Sequence, residues 1–184
     1  MMYMKNRGGL IKELFTNIST TGAITFSSKA LVNKMLSYAS FKGVKLIVEL
    51  GGGDGSITQG IVARMDQDAE LLVFEISENF CDNLKQQFPQ SNVRIICDSA
   101  ENLDKYLEGR KAGLILSSLP FTLIKKDSRE AIYRRSKECL ARDGYFIQIC
   151  YSYLLKSQFS GYYKKIETHL MLKNFPPTFI MVCQ

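Results

Sequence analysis

Three carboxylates stand where apolar runs give way to polar chain: Glu49 in VELGGGDGSIT, Glu75 in VFEIS and Asp98 in CDSAENL. Gly51, Gly52, Gly53 and Gly55 follow the first of them closely. Glycines let a chain turn sharply and let a ligand approach the main chain with no Cβ in the way. A helix after such a loop points its first N–H groups at whatever is bound. Glu75, about 20 residues further on, sits where an acid can hydrogen-bond a ribose diol. Asp98 and Ser99 follow the next apolar run, where a carboxylate can accept from an exocyclic amine; Asp98 could equally cap the helix at Ala100. Each acid alone reads as a loop carboxylate or a cap. Three of them, each at a strand end, describe a nucleotide-like ligand. No Gly-Lys-Ser/Thr follows the glycines, so the loop is not a P-loop.

These residues need elements to hold them. VKLIVEL (Val44 to Leu50) is apolar nearly throughout, as a strand buried on both faces must be. Ser56 is placed to cap a helix through ITQGIVARM. ELLVFEI (Glu70 to Ile76) is the second strand, and Ser77 caps a helix with Phe80, Leu84 and Phe88 at helical spacing, ending before Pro89. VRIIC, AGLILSSL and YFIQICYS are strands three to five. A short helix AENLDKYL and a longer one, SREAIYRRSKECLA, intervene, and Asp143-Gly144 turns the chain into the fifth strand. The tail adds two strands, in KIETHLMLKN and TFIMVCQ, as an antiparallel edge. Strands alternating with helices imply a mostly parallel, seven-stranded α/β sheet covered on both faces, with ligands beyond the carboxyl ends of its strands.

The chain has 184 residues, with 24 Lys and Arg against 18 Asp and Glu, a net charge of +6 that favours an anionic partner. No apolar run approaches the roughly 18 residues of a membrane span, and no signal-peptide pattern opens the chain, so a cytoplasmic protein is expected. Cys81, Cys97, Cys139, Cys150 and Cys183 are odd in number, widely spaced and without Cys-x-x-Cys. They read as free thiols, and with His169 the single histidine no metal site is expected.

VELGGGDGSIT, VFEIS, CDSAENL and LILSSLPF, in this order and spacing, resemble class I S-adenosylmethionine-dependent methyltransferases of Rossmann-like fold. The resemblance runs from about Thr21 to the end. It implies S-adenosylmethionine as cofactor, with Gly51 and Gly53 under its methionine part and Glu49 near its amino group. Glu75 would serve the ribose, Asp98 and Ser99 the adenine, and Ile76 would pack on the adenine face. Ser117, ending the fourth strand, is grouped with this cofactor set.

The acceptor is narrowed by two stretches. In SSLPF, amino-methylating enzymes often carry an amide or acid where this chain has Ser118, followed by an aromatic that stacks on a base. TTGAITFSSKAL, SSLPF and FIQICYSYL are together similar to bacterial phospholipid N-methyltransferases, which act on phosphatidylethanolamine; rRNA adenine dimethyltransferases are the alternative resemblance, and a cofactor-binding protein without catalysis a further one. Tyr151 and Ser118 are then the candidates for contacting the headgroup, with Tyr151 equally suited to packing. No residue stands out as a general base.

Residues 1–184 read as a single methyltransferase domain in which 1–42 form a helical cap and membrane-contact segment. There Leu10, Ile11, Leu14, Phe15 and Ile18 share a helical face flanked by Lys5, Arg7 and Lys12. Such a face lies in a bilayer interface, making the protein peripheral on the inner membrane face, or else packs on the domain. Lys125, Lys126, Arg129, Arg134 and Arg135 suit RNA phosphates or a solvated helix face.

Overall fold

The computed structural model describes residues 28–153, 155–172 and 177–184. The expected apolar face at residues 10–18 and its basic flanks lie outside them.

Helix α1 (Lys29–Leu36) is capped by Ser28, whose side chain accepts from the Leu31 N–H at 3.2 Å. Then β1 (Leu46–Leu50), α2 (Ser56–Val62), β2 (Glu70–Phe74), α3 (Glu78–Gln87) and β3 (Val93–Ile96) follow in turn. A 3₁₀ turn (Ala100–Asn102) leads into α4 (Leu103–Leu107), β4 (Ala112–Ser117), α5 (Lys126–Cys139) and β5 (Leu140–Cys150). Helix α6 (Leu155–Phe159) and the strands β6 (Ile166–Met171) and β7 (Thr178–Cys183) complete the sequence of elements.

The seven strands form one sheet in the order β3-β2-β1-β4-β5-β7-β6. The first five pair in parallel, and β7 runs antiparallel between β5 and β6. Alternate strand residues enter different cores. Val48, Leu50, Phe74, Ile115 and Phe146 pack on the α4–α6 side. Ile47, Leu71, Val73, Leu114 and Ile147 meet α1, α2 and α3 on the other. Both faces are buried, which is why the strands read as continuous apolar runs.

The strand order reverses between β1 and β4, so a crevice opens beyond their carboxyl ends. Leu50, Ser117, Gln148, Met181 and Thr168 form one row across the sheet just beneath that edge.

Three details differ from expectation. The N-cap of α2 is Gly55, in the left-handed conformation, and Ser56 is the first helical residue. Its N–H and hydroxyl both donate to Asp54, at 3.0 and 2.8 Å, so Asp54 satisfies the helix start. Asp143-Gly144 is not a turn but part of β5, within a register shift where Ala112 pairs with Leu140 and Leu114 with Tyr145. A Cβ on Gly144 would lie 2.9 Å from the Gly113 carbonyl oxygen, so glycine lets the two strands close there.

The third is a disulfide, Cys81–Cys97, where free thiols were expected. The two are 16 residues apart in sequence, but β2 and β3 are neighbours, so the first turn of α3 meets the end of β3. Cys139, Cys150 and Cys183 are free and buried. His169 stacks on Tyr38 of the α1 segment, with ring centroids 4.1 Å apart. No helix among the described residues is long and apolar enough to cross a membrane.

Candidate active site

The glycine loop is built by hydrogen bonds to the strand beside it. Gly51 and Gly52 donate their N–H groups to the Phe74 carbonyl at 2.9 and 3.1 Å, and Gly53 donates to Glu75 Oε2 at 2.9 Å. Gly51, Gly53 and Gly55 have positive φ. A Cβ on Gly53 would meet nothing within 4 Å, so it faces open space. On Gly52 it would meet Val73 Cγ1 at 2.6 Å and Leu84 Cδ1 at 2.7 Å. Gly52 therefore serves core packing, a role the sequence reading did not see.

Gly51, Glu75, Ile76, Asp98 and Ser99 line one cleft together with Phe74, Ala100, Leu119, Ile124 and Ile132. Five of the expected cofactor residues, from three separate strand ends, thus converge. Glu75 is buried, and its other oxygen accepts from the Ile76 and Ser77 N–H groups at 2.8 and 2.9 Å. Asp98 accepts from Ser99 N–H, from the Asn102 amide and from the Tyr106 hydroxyl at 2.8 Å. Burial pushes the Asp98 carboxyl up, but these hydrogen bonds from Tyr106, Asn102 and Ser99 outweigh it and hold the group below its ordinary range. The side chain that caps the following turn is Ser99, accepting from Glu101 N–H at 3.3 Å.

Glu49, Gly53 and Ser117 do not line the cleft. Ser117 is fully buried at the end of β4. Glu49 is 1% exposed and faces α2, where Thr58 donates its hydroxyl to Oε2 at 2.7 Å. Its other oxygen, Oε1, is buried with no hydrogen-bond partner. Burial is the main reason its pKa is pushed up to about 8; the Thr58 hydroxyl opposes this, while the carboxylates of Glu75 and Asp54 add to it. A buried, unsatisfied carboxyl oxygen beside a glycine loop is a fit acceptor for an ammonium group. With two acids and a polar edge at the cleft, the residues present suit a zwitterionic nucleoside such as S-adenosylmethionine.

On the acceptor side, the Ser118 hydroxyl donates to the Gly51 carbonyl at 2.9 Å, tying the β4 loop to the glycine loop. Tyr151 is exposed beyond the end of β5. Neither lines the cleft. Phe121 is buried, its ring 4.6 Å from Tyr133 and 5.9 Å from Phe159.

Sequence reading also missed Gln148, which is fully buried in β5 opposite Ser117. Its amide nitrogen donates to the Leu119 carbonyl at 3.0 Å and to the Ile149 carbonyl. Its oxygen is buried without a partner. Flipping the amide would set that oxygen against two carbonyl oxygens, so the orientation is fixed. The signal was present in the sequence: a lone polar residue at an inward position of FIQIC.

The chain is 23% identical over 186 residues to ornithine lipid N-methyltransferase from Singulisphaera acidiphila, covering 98% of this chain and 97% of that protein. An rRNA methylase from Streptococcus thermophilus superposes with a TM-score of 0.66 at 15% identity, over 88% of this chain and 98% of its own. The N-methyltransferase NodS from Bradyrhizobium japonicum WM9, in complex with S-adenosylhomocysteine, gives 0.69 at 10% identity over 84% of each chain. The family model described as a methyltransferase domain matches residues 47–144, more than half of the chain. That span begins in β1 and ends in β5, taking in the glycine loop and the three carboxylates at the strand ends, and the chain belongs to this family as an S-adenosylmethionine-dependent methyltransferase.

Proposed function

We propose that the protein methylates the amine of a lipid headgroup of the phosphatidylethanolamine type. The observation that carries this reading is the burial of Phe121. A ring that stacks on a flipped-out base must be open at the mouth of the site, and this one is packed between Tyr133 and Phe159. Similarity along nearly the whole chain to a lipid N-methyltransferase supports the same choice.

S-adenosylmethionine, when bound, supplies a methyl group on a sulfonium, open to in-line displacement. Glu75 would hold the ribose hydroxyls, Asp98 and Ser99 the adenine edge, and Ile76 its face. Gly51 and Gly53 would leave room for the methionine part, and Glu49 Oε1 would accept from its ammonium. Ser117, buried at the end of β4, accepts from the Leu119 N–H and so shapes the chain segment that lines the cleft.

What remains for the chain is to present a neutral amine with its lone pair forward, since positioning supplies much of the rate in such a displacement. Gln148 offers the fixed carbonyl oxygen that can hold an amine N–H. Leu119, which receives the Gln148 amide, lines the cofactor cleft and so links the two halves. Tyr151 would contact the headgroup from the rim.

Radiolabelled S-adenosylmethionine offered with phosphatidylethanolamine vesicles, ornithine-lipid vesicles and total ribosomal RNA tests the reading. Label in a lipid fraction is expected. Label in RNA alone overturns it in favour of a nucleobase acceptor, the reading that the fold shared with rRNA methylases favours.

A further inference from the structure

The large apolar side chains that the described residues leave exposed are Leu123, Tyr151, Tyr153, Leu170 and Leu172, each between 47% and 73% accessible. They come from three separate segments, yet all five stand at one edge of the sheet. Leu123 follows β4, and Tyr151 and Tyr153 follow β5. Strand β6 runs parallel to β5, because both are antiparallel to β7, so its end at Leu170 to Leu172 points the same way. Leu170 pairs with Phe179, which pairs with Cys150, the last residue of β5. The Tyr153 ring lies 5.7 Å from the ring of Phe179, which makes this part of the rim continuous. This is the carboxyl edge, where the glycine loop and the acceptor side of the cleft open.

Scattered exposed leucines need no explanation, but a set confined to the mouth of a site marks a contact surface. Its charge identifies the partner. The Lys156 ammonium sits 5.6 Å above the Tyr153 ring and 3.3 Å from its hydroxyl, and Lys125 and Lys126 are exposed where α5 begins at the same edge. Against them stand Asp127 and Glu130 of α5, the latter 3.8 Å from Lys126. Apolar side chains interleaved with lysines suit the boundary between acyl chains and anionic headgroups. A second copy of a chain with net charge +6 would bring like charges together.

We infer that the rim formed by Leu123, Tyr151, Tyr153, Leu170 and Leu172 seats the carboxyl edge of the sheet on an anionic lipid bilayer, so that a headgroup enters the site without leaving the membrane. The inference rests on the lipid reading of the acceptor and adds where the membrane lies.

The test uses the full chain and the double variant Leu170→Ser/Leu172→Ser, neither residue being part of the site. Wild type is expected to sediment with vesicles of phosphatidylethanolamine and phosphatidylglycerol, and less with phosphatidylethanolamine and phosphatidylcholine. The double variant should bind the anionic vesicles at least about tenfold more weakly, as loss of two partly inserted leucines implies. Methyl transfer to vesicle lipid should fall in proportion. Transfer to a monomeric short-chain phosphatidylethanolamine and affinity for S-adenosylmethionine should stay at wild-type values, which also shows that the variant is folded. Leu172→Ser alone, at the most exposed position, should show part of the loss. Three results would each overturn the inference: vesicle binding equal to wild type in the double variant, no vesicle binding by wild type, or a wild-type dimer that the variant dissolves. If wild type binds vesicles through these leucines yet labels only RNA, the docking surface stands and the lipid acceptor falls. If lipid is labelled with the leucines irrelevant, the reverse holds.

Discussion

Glu49 is the group whose titration the fold should report most clearly. It is 1% exposed, Thr58 satisfies only one of its oxygens, and its pKa is pushed from the ordinary 4.5 to about 8. A raised carboxyl pKa means that the folded state holds the proton more tightly than the unfolded chain does. The stabilisation is then fully present below about pH 4.5 and is lost as pH rises through 8. Across that window the loss amounts to at most about 5 kcal/mol, at 1.36 kcal/mol for each pH unit. That is comparable with the whole stability of many domains. Glu49→Gln keeps the size of the side chain and an acceptor for Thr58 but cannot ionise. Urea unfolding between pH 5 and pH 9 should show wild type losing stability from pH 5 to about pH 8 and levelling off above it, with the variant flatter by several kcal/mol. The cofactor should act in the opposite direction. An ammonium at Oε1 favours the carboxylate, so binding near pH 7 should release close to one proton, seen as heats that depend on buffer ionisation enthalpy. Parallel pH profiles for the two proteins, together with buffer-independent heats, would refute the reasoning.

Further predictions concern Glu75 and the glycine loop. Glu75→Ala should weaken S-adenosylmethionine binding by about 1–3 kcal/mol in calorimetry, with Glu75→Gln intermediate, because Glu75 also accepts from Gly53 N–H and so shapes the loop. An unchanged affinity in the alanine variant would remove Glu75 from the site. Gly52→Ala should cost about 1–3 kcal/mol of stability through overpacking against Val73 and Leu84. Gly53→Ala should cost about 1–2 kcal/mol, from its left-handed backbone alone, and Gly53→Val should abolish cofactor binding in a chain that circular dichroism shows to be folded.

The fold was legible because its strands are buried on both faces. LIVEL and AGLIL leave few alternatives to central parallel strands, and the glycines after β1 mark the crevice. Element ends were less visible. Strand β2 stops at Phe74 rather than Ile76 because the Glu75 carboxylate takes the next two N–H groups, a competition that hydropathy does not show. Helix α6, only five residues long, has no periodicity to detect. The Cys81–Cys97 pair depended on β2 and β3 being neighbours, which spacing along the chain does not encode. At the site, residue types at strand ends pointed to the glycine loop, Glu75, Asp98 and Ser99, and the family resemblance added Ile76; Gly51, Glu75, Ile76, Asp98 and Ser99 line the cleft. Thr58 and Gln148 escaped because both lie inside apolar elements, where only the structure shows which polar atom is left without a partner.

That distinction separates the two candidates for holding the acceptor amine. Ser118 occupies the position where an amide or acid is expected, but its hydroxyl already donates to the Gly51 carbonyl, holding two loops together. Gln148, on the neighbouring strand, has its nitrogen committed and its buried oxygen free of any partner. If Ser118 is a strap, Ser118→Ala should lower stability by about 1 kcal/mol and leave turnover on lipid nearly unchanged. If Gln148 positions the amine, Gln148→Leu should leave S-adenosylmethionine affinity intact and reduce kcat by about 10- to 100-fold, the range for losing one oriented hydrogen bond in the transition state. Gln148→Glu retains an acceptor but loses the donor to Leu119, so it should recover part of that loss while costing stability. Steady-state kinetics on the three folded variants, with calorimetry for the cofactor, measures each quantity. A large fall in kcat for Ser118→Ala beside a Gln148→Leu enzyme of normal turnover would return the amine to the β4 loop, and the unpaired oxygen of Gln148 would then have only a structural meaning.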